Sequence, residues 1–526
     1  MPIPRVLSRP AALAAALAVV AFAVWTPVLG NGFVWDDGPI IVENPDTRDL
    51  GSLPRVLLSP DQTPPYYRPL NRASYLLDHR LFGLDPRGFH AVSLALHVAN
   101  VLLLFAIGRR LLGAEVPAAL AALLFALHPV NAEAVSFVTA RNNLFALLFS
   151  LAALLLFADA VRRRSTARAW ASGGALLLGL LSKEQAAMTL PALLAWLWIV
   201  ERQGPRAWPR AWRAAMPHAL AAVVYLALRA VSLGPAAEAG AAAPGPLASR
   251  LGENVVTIPR LLGLVVFPRE LTIFHRPGPG GLSTGVLVAA WIAIAAAVAL
   301  LASRRTPGAS FGLAWFALHL VPLAGVVAIP ATTRVAERFL YLPLAGAALL
   351  AAGVAGRAVR RWPRARPAVV ALSALLLVAL AARSVERARD WKDDETLARS
   401  AVRTDPGSAE ARFNLGVVLK DQGDLAGARE QWEAAARVDP RHARALTQLG
   451  TLSAVKGDLP GAERLLREAL AAEPVPIAHL NLARILERTG RPEEALVHYR
   501  AFVRTATDLE ASLVPAAEAR IRLLAQ

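Results

Sequence analysis

Two hydrophobic patterns divide this chain. Up to residue 385, long apolar runs alternate with short polar segments. A helix that crosses a bilayer needs about 20 mostly apolar residues. Runs near that length fall at residues 11–29, 90–107, 116–128, 144–161, 169–181, 186–200, 214–233, 284–303, 311–329, 339–356 and 367–382. The shorter ones borrow residues from their flanks. A further stretch, 255–273, is broken by Pro259, Arg260, Pro268, Arg269 and Glu270, and reads as re-entrant or interfacial. The pattern predicts an all-α, polytopic membrane domain of about eleven transmembrane helices over residues 1–385. Residues 31–89 form its first extracytoplasmic loop. The opening run is longer than the core of a cleaved signal peptide, so it reads as a retained helix.

Residues 386–526 follow another period. Pro406, Pro440 and Pro474 lie 34 residues apart, the spacing of tetratricopeptide repeats. On that register Leu415-Gly416, Leu449-Gly450 and Leu482-Ala483 share one position of a first helix. Gly423, Gly457 and Gly490 mark the turn. Ala428, Ala462 and Ala495 are the small residues at which a second helix crosses closely. Trp432, Leu466 and Tyr499 follow four residues later on the same face. Three repeats are predicted, 407–440, 441–474 and 475–508, the third one residue short before its turn. Residues 391–406 resemble a half-repeat. Such repeats stack into an α-solenoid whose concave face suits a protein or peptide.

Composition supports the membrane reading. The 526 residues are 55% hydrophobic and 18% charged, against about 25% charged in soluble domains. The net charge of +17 is uneven, with +18 on residues 1–385 and −1 on residues 386–526. A basic tail for nucleic acid is thereby excluded. Lys and Arg in short loops mark the cytoplasmic side of a membrane. With the N-terminus inside and 255–273 not spanning, the inner side collects 19 basic residues against three acids. That parity puts the repeats on the extracytoplasmic side. Arg bias and Ala richness fit a high-GC genome. The expected location is a bacterial inner (cytoplasmic) membrane, multi-pass. There is no cysteine, which removes disulfides, thiolate metal sites and a Cys nucleophile. No His, Asp or Glu spacing demands a metal, and no cofactor is expected.

Polar residues stand out where the apolar runs end. Asn31-Gly32-Phe33-Val34-Trp35-Asp36-Asp37 opens the first outer loop. Adjacent carboxylates at the end of a membrane helix are costly without a role, and one of them can act as a general base. The plain alternative is an acid pair in a turn. His128-Pro129-Val130-Asn131-Ala132-Glu133, Arg141-Asn142-Asn143, Ser182-Lys183-Glu184 and Glu337-Arg338-Phe339-Leu340-Tyr341 fall on the same outer side. Singly, each reads as a cap, a snorkelling cation or a local ion pair. Together, acids and cations at one bilayer face suit a lipid-linked phosphate donor and a hydroxyl acceptor. Asp36 and Asp37 are the candidate catalytic residues. Arg141, Lys183 and Arg338 are the candidate ligands of a donor phosphate, with no rank among them. His128, Glu133, Glu184 and Glu337 are expected to orient the acceptor or the loop.

These stretches, in this order, resemble the transmembrane and tetratricopeptide-repeat containing O-mannosyltransferases, of the GT-C class of polytopic glycosyltransferases. The likeness runs through residues 32–37 and 41–45, Tyr67-Arg68-Pro69-Leu70, Gly88-Phe89-His90, 125–135 with Arg141, Lys183-Glu184 and 337–343. With the repeats it covers nearly the whole chain. The resemblance implies a GT-C membrane fold and a polyprenyl-phosphate sugar donor, usually mannose. It implies transfer to protein Ser or Thr hydroxyls at the extracytoplasmic face, with inversion and without a nucleotide sugar. It also implies a catalytic Asp in the first outer loop, matched here by Asp36. The chain departs from the family at Asn142-Asn143, where an acid is frequent, and at Phe274-His275, where an acidic or aromatic pair is common. Two other classes compete. A membrane-anchored repeat scaffold for envelope assembly needs far fewer helices. A transporter holds its charges near the midplane on broken helices, whereas these lie at helix ends.

Overall fold

A computed structural model describes residues 9–61, 66–202, 208–234, 252–275, 292, 294, 306–324, 335–507 and 510–525. The chain divides into two compact units, Met1–Asp393 and Asp394–Gln526. Every regular element among the described residues is helical.

The first unit contains α1 (Arg9–Trp25), α2 (Leu53–Leu58), α3 (Pro69–Phe82), α4 (Pro86–Leu112), α5 (Glu115–Ala126), α6 (Ala132–Ser136) and α7 (Arg141–Arg163). It continues with α8 (Thr166–Leu180), α9 (Thr189–Ile199), α10 (Trp208–Leu233), α11 (Asn254–Val266), α12 (Pro307–Leu320), α13 (Tyr341–Arg361) and α14 (Arg366–Asp390). Local chemistry sets their ends. Asp85 caps α4 by accepting the Arg87 N–H at 3.0 Å, Pro86 sits at its first turn, and left-handed Gly113 stops it. Pro129 separates α5 from α6, and the two are bent by 49°. α12 and α13 cross so closely that a Cβ on Gly312 would lie 2.7 Å from the Gly346 carbonyl oxygen.

Six helices among the described residues are long and apolar enough to cross a membrane, or seven if the bent α5–α6 pair is one span. The chain is a multi-pass membrane protein. The expected count of eleven also included runs that fold as shorter helices. α8, α9 and α12 have 15, 11 and 14 residues. At 1.5 Å per residue they fall short of a hydrocarbon core of about 30 Å. The expected span at 284–303 lies outside the described residues except for 292 and 294. The stretch read as non-spanning, 255–273, contains the 13-residue α11.

α4 and α7 run parallel: Arg141 at the start of α7 reaches the Phe89 carbonyl at 2.7 Å, and Arg110 near the end of α4 reaches Leu155 O at 3.2 Å. One end of the bundle is basic, with the pairs Arg110–Asp159, Arg162–Glu201 and Arg9–Glu115. The polar motifs gather at the other end.

α14 continues to Asp390, with Arg387 and Trp391 buried. The first unit therefore extends eight residues beyond the predicted boundary at 385. The second unit begins with α15 (Asp394–Thr404), followed by the pairs α16 (Ala409–Asp421) with α17 (Leu425–Val438), α18 (Ala443–Val455) with α19 (Leu459–Ala472), and α20 (Pro476–Arg488) with α21 (Pro492–Thr505), and closes with α22 (Val514–Leu524). The small positions and their partners meet as the register requires: Gly416 lies against the Trp432 ring, and Gly450 against Leu466. Gly423, Gly457 and Gly490 take φ of +87°, +88° and +75°, a region that Gly enters without steric cost. The residue lost from the third repeat comes out of the connection after α19, three residues long where the one before α18 has four.

Candidate active site

Adjacent acids in the first loop have different surroundings. Asp37 is buried and accepts three backbone N–H groups, from Thr139 at 2.8 Å and from Val138 and Val34 at 3.4 Å. Burial pushes its carboxyl up to about 7, against the pull of those hydrogen bonds. Asp36 reaches solvent at the site wall and makes no side-chain hydrogen bond among the described residues. The depth of protein around it still withdraws enough water to push its carboxyl above the ordinary value, opposed by Arg338. The residue before it, Trp35, has φ +52°, uncommon for a bulky side chain. Its indole is clamped by a stack on Phe137 at 5.7 Å and an edge contact with Phe274 at 5.8 Å. Phe137 in turn stacks on Trp391 at 5.5 Å. This aromatic column fixes the turn that presents Asp36.

Cations surround the same position. Arg338 is held by Glu133, which pairs with its guanidinium and accepts its backbone N–H at 2.8 Å. The Arg338 guanidinium lies 6.0 Å from the Trp35 ring centroid and 5.3 Å from that of Phe339. Lys183 donates to Asn143 Oδ1 and stands 5.2 Å from the Phe339 ring. Burial lowers Lys183 well below the usual ammonium range, and the charges of Arg68 and Arg338 lower it further. An anion placed among these three cations would restore its charge. Arg68 binds Glu184 Oε2 with Nε at 3.2 Å and Nη2 at 3.0 Å. Burial pushes Glu184 up, but the adjacent Arg68 outweighs it and keeps the carboxylate ionised.

The remaining candidates sit elsewhere. Arg141 is fully buried, ion-paired with Asp78, and hydrogen-bonded to Ser93, Ser74 and the Phe89 carbonyl. Every nitrogen of its guanidinium is thus committed inside the bundle. His128 spends both ring nitrogens on backbone: Nδ1 accepts the Val130 N–H at 3.3 Å, so Nε2 donates to Val265 O at 2.9 Å. It joins the α5–α6 break to α11. Glu337 is buried against Arg387 at 3.2 Å, which locks the strand of chain carrying Arg338 to α14. Arg68, Asp78, Arg229 and Arg387 are not among the residues that the sequence pattern marks as candidates. Only Arg68 had a signal, as part of Tyr67-Arg68-Pro69-Leu70. The others pair over 50 or more positions or lie within apolar runs.

Comparison with known proteins agrees in both parts of the chain. Residues 73–233 match the family described as dolichyl-phosphate-mannose-protein mannosyltransferase. Residues 379–436, 418–474 and 447–509 match a tetratricopeptide-repeat family. Protein O-mannosyl-transferase F38B6.6 of Caenorhabditis elegans is 26% identical over 430 residues, covering 77% of this chain and 60% of the relative. Protein O-mannosyl-transferase TMTC4 of Homo sapiens is 26% identical over 479 residues, covering 78% and 64%. The human TMTC2 is 31% identical over 184 residues, covering 32% and 22%. The chain spans about three fifths of the length of the first two. The apo oligosaccharyltransferase of Archaeoglobus fulgidus overlaps 75% of this chain and 56% of its own, at 14% identity and a TM-score of 0.43, a distant likeness.

Proposed function

We propose that this chain, a relative of the transmembrane and tetratricopeptide-repeat containing O-mannosyltransferases, is a GT-C membrane glycosyltransferase that moves mannose from a polyprenyl-phosphate donor to a protein Ser or Thr hydroxyl. The observation that supports this best is an uncommitted carboxylate, Asp36, presented beside Arg338 at the end of the bundle where Lys183 and Arg68 also converge.

Asp36 takes the proton of the acceptor hydroxyl as its oxygen attacks the anomeric carbon. The bond from that carbon to the phosphate oxygen breaks on the opposite face, through an oxocarbenium-like transition state, and the configuration inverts. Arg338 and Lys183 meet the charge on the departing phosphate, which needs little protonation. Glu133 positions Arg338. Asp37 and the Arg141–Asp78 pair hold the loop and the start of α7. The reaction uses no metal or organic cofactor.

The basic end of the bundle, opposite the site, supports a cytoplasmic placement of that end and an extracytoplasmic reaction. The proposed location is a bacterial inner membrane, crossed about eleven times where flanking residues complete the short helices α8, α9 and α12, with the repeats outside offering a surface to the protein acceptor. The test is incubation of the purified chain with polyprenyl-phosphate mannose and Ser/Thr peptides. Released polyprenyl phosphate and mannosylated peptide are expected. Folded protein that releases neither contradicts the reading.

A further inference from the structure

Five buried polar atoms gather next to the cations just described: Asp61 Oδ1, Glu184 Oε1, Tyr225 Oη, Arg229 Nη1 and Ser232 Oγ. None has a hydrogen-bond partner among the described residues. Folded proteins leave few such atoms, because an unmet buried donor or acceptor is costly.

These five are related in space. Arg68 uses two nitrogens on Glu184 Oε2, which leaves Oε1 turned toward Arg229 Nη1 at 3.8 Å, too long for a hydrogen bond. Tyr225, Arg229 and Ser232 follow at intervals of four and three residues, so α10 presents them on one face. The Tyr225 hydroxyl and Arg229 face each other without hydrogen-bond geometry. Asp61 faces Arg68, Arg72 and Glu184 from the loop before α3, and its Oδ1 lies 4.0 Å from Arg72 Nε, an ion-pair distance too long for a hydrogen bond. The Tyr67 and Tyr225 rings lie 6.3 Å apart and form an aromatic flank.

A self-sufficient structural network would bring these donors and acceptors into contact. Held apart, they match a ligand that offers several donors and acceptors at once. Two carboxylates disfavour a phosphate here. A guanidinium and two hydroxyls disfavour an apolar chain. Carboxylates that accept from vicinal hydroxyls, a guanidinium that donates to them and tyrosine faces along a ring are the chemistry of a hexose.

We propose that Asp61, Glu184, Tyr225, Arg229 and Ser232 form the subsite for the donor's sugar, set beside the phosphate-binding cations. This rests on the donor class proposed above. Glu184 then has two jobs: Oε2 anchors Arg68, and Oε1 reads a sugar hydroxyl.

The test uses the full chain in detergent and two probes, polyprenyl-phosphate mannose and the same polyprenyl phosphate without sugar, with binding followed by native mass spectrometry. The variant is Tyr225→Phe with Ser232→Ala. Neither deleted hydroxyl meets hydrogen-bond geometry with its neighbour, Arg229 for Tyr225 and Tyr67 for Ser232, so their removal takes no well-formed hydrogen bond from the fold. Wild type is expected to prefer the glycosylated lipid. The variant is expected to lose about tenfold in affinity for it while binding the bare lipid unchanged. Ser232→Ala alone, with a smaller loss of the same preference, serves if the double variant does not fold. Unchanged preference, or an equal loss for both lipids, overturns the subsite and leaves the proposed function standing. Wild type that binds neither lipid overturns the donor assignment itself.

Discussion

The carboxylate of Asp37 accepts the backbone N–H of Thr139 across 2.8 Å, and that bond ties the first loop to the turn entering α7. Asp36, one residue away, is presented on the other side of the same turn. Adjacent identical residues therefore have different surroundings, one buried within the fold and one exposed.

Asp37→Ala removes an acceptor from three buried N–H groups. It is expected to cost about 1–3 kcal/mol of stability, read as a lower midpoint of thermal unfolding in detergent. Asp36→Asn, which breaks no hydrogen bond among the described residues, is expected to change stability by no more than about 0.5 kcal/mol and so to leave that midpoint nearly unchanged.

A pH dependence follows from Asp37. Its carboxyl titrates near 7 in the folded chain, above its ordinary 3.8. Between those values the folded state holds a proton that the unfolded state has lost, so stability falls as pH rises. The contribution is fully present below about pH 4 and is lost as pH passes 7. Asp61, pushed up to about 6 by burial, acts in the same direction. Thermal midpoints measured from pH 4 to 8 are expected to decline, and Asp37→Asn is expected to flatten part of that slope.

The Arg141–Asp78 pair is a structural device. Breaking one side of a buried pair typically costs about 3–5 kcal/mol, whereas replacing both with apolar groups is close to neutral. Arg141→Met alone is expected to abolish folded protein, and Arg141→Met with Asp78→Leu to restore it, as followed by size-exclusion chromatography. Restored protein that still binds polyprenyl phosphate would remove Arg141 from the phosphate ligands.

The repeats could be read from the sequence almost to the residue, because a 34-residue period states which positions must be small and where a left-handed turn must fall. The polar layer was also legible: Asp36, Glu133, Lys183, Glu184 and Arg338 occur in motifs at run ends and meet in space. Their roles were not, because a pairing such as Arg141 with Asp78 or Glu337 with Arg387 depends on how distant helices cross, which no spacing records. Tyr225 and Arg229 were hidden for a related reason. They lie within an apolar run, where an isolated polar residue reads as part of a membrane helix.

The repeats give a graded prediction. A Cβ on Gly416 falls into the Trp432 indole, whereas one on Gly450 meets the flexible end of Leu466 at 3.0 Å. Gly416→Ala is expected to destabilise the repeat unit by about 1–3 kcal/mol, and Gly450→Ala by less. Limited trypsin digestion of the full chain, scored for cleavage between residues 409 and 472, reports the order.

The most direct test of the account compares Asp36→Asn with wild type for release of polyprenyl phosphate from polyprenyl-phosphate mannose in membranes. A general base contributes about 10²–10⁴-fold. The account predicts release reduced by at least about 100-fold, with an unchanged thermal midpoint. Release at the wild-type rate by folded Asp36→Asn protein would contradict it.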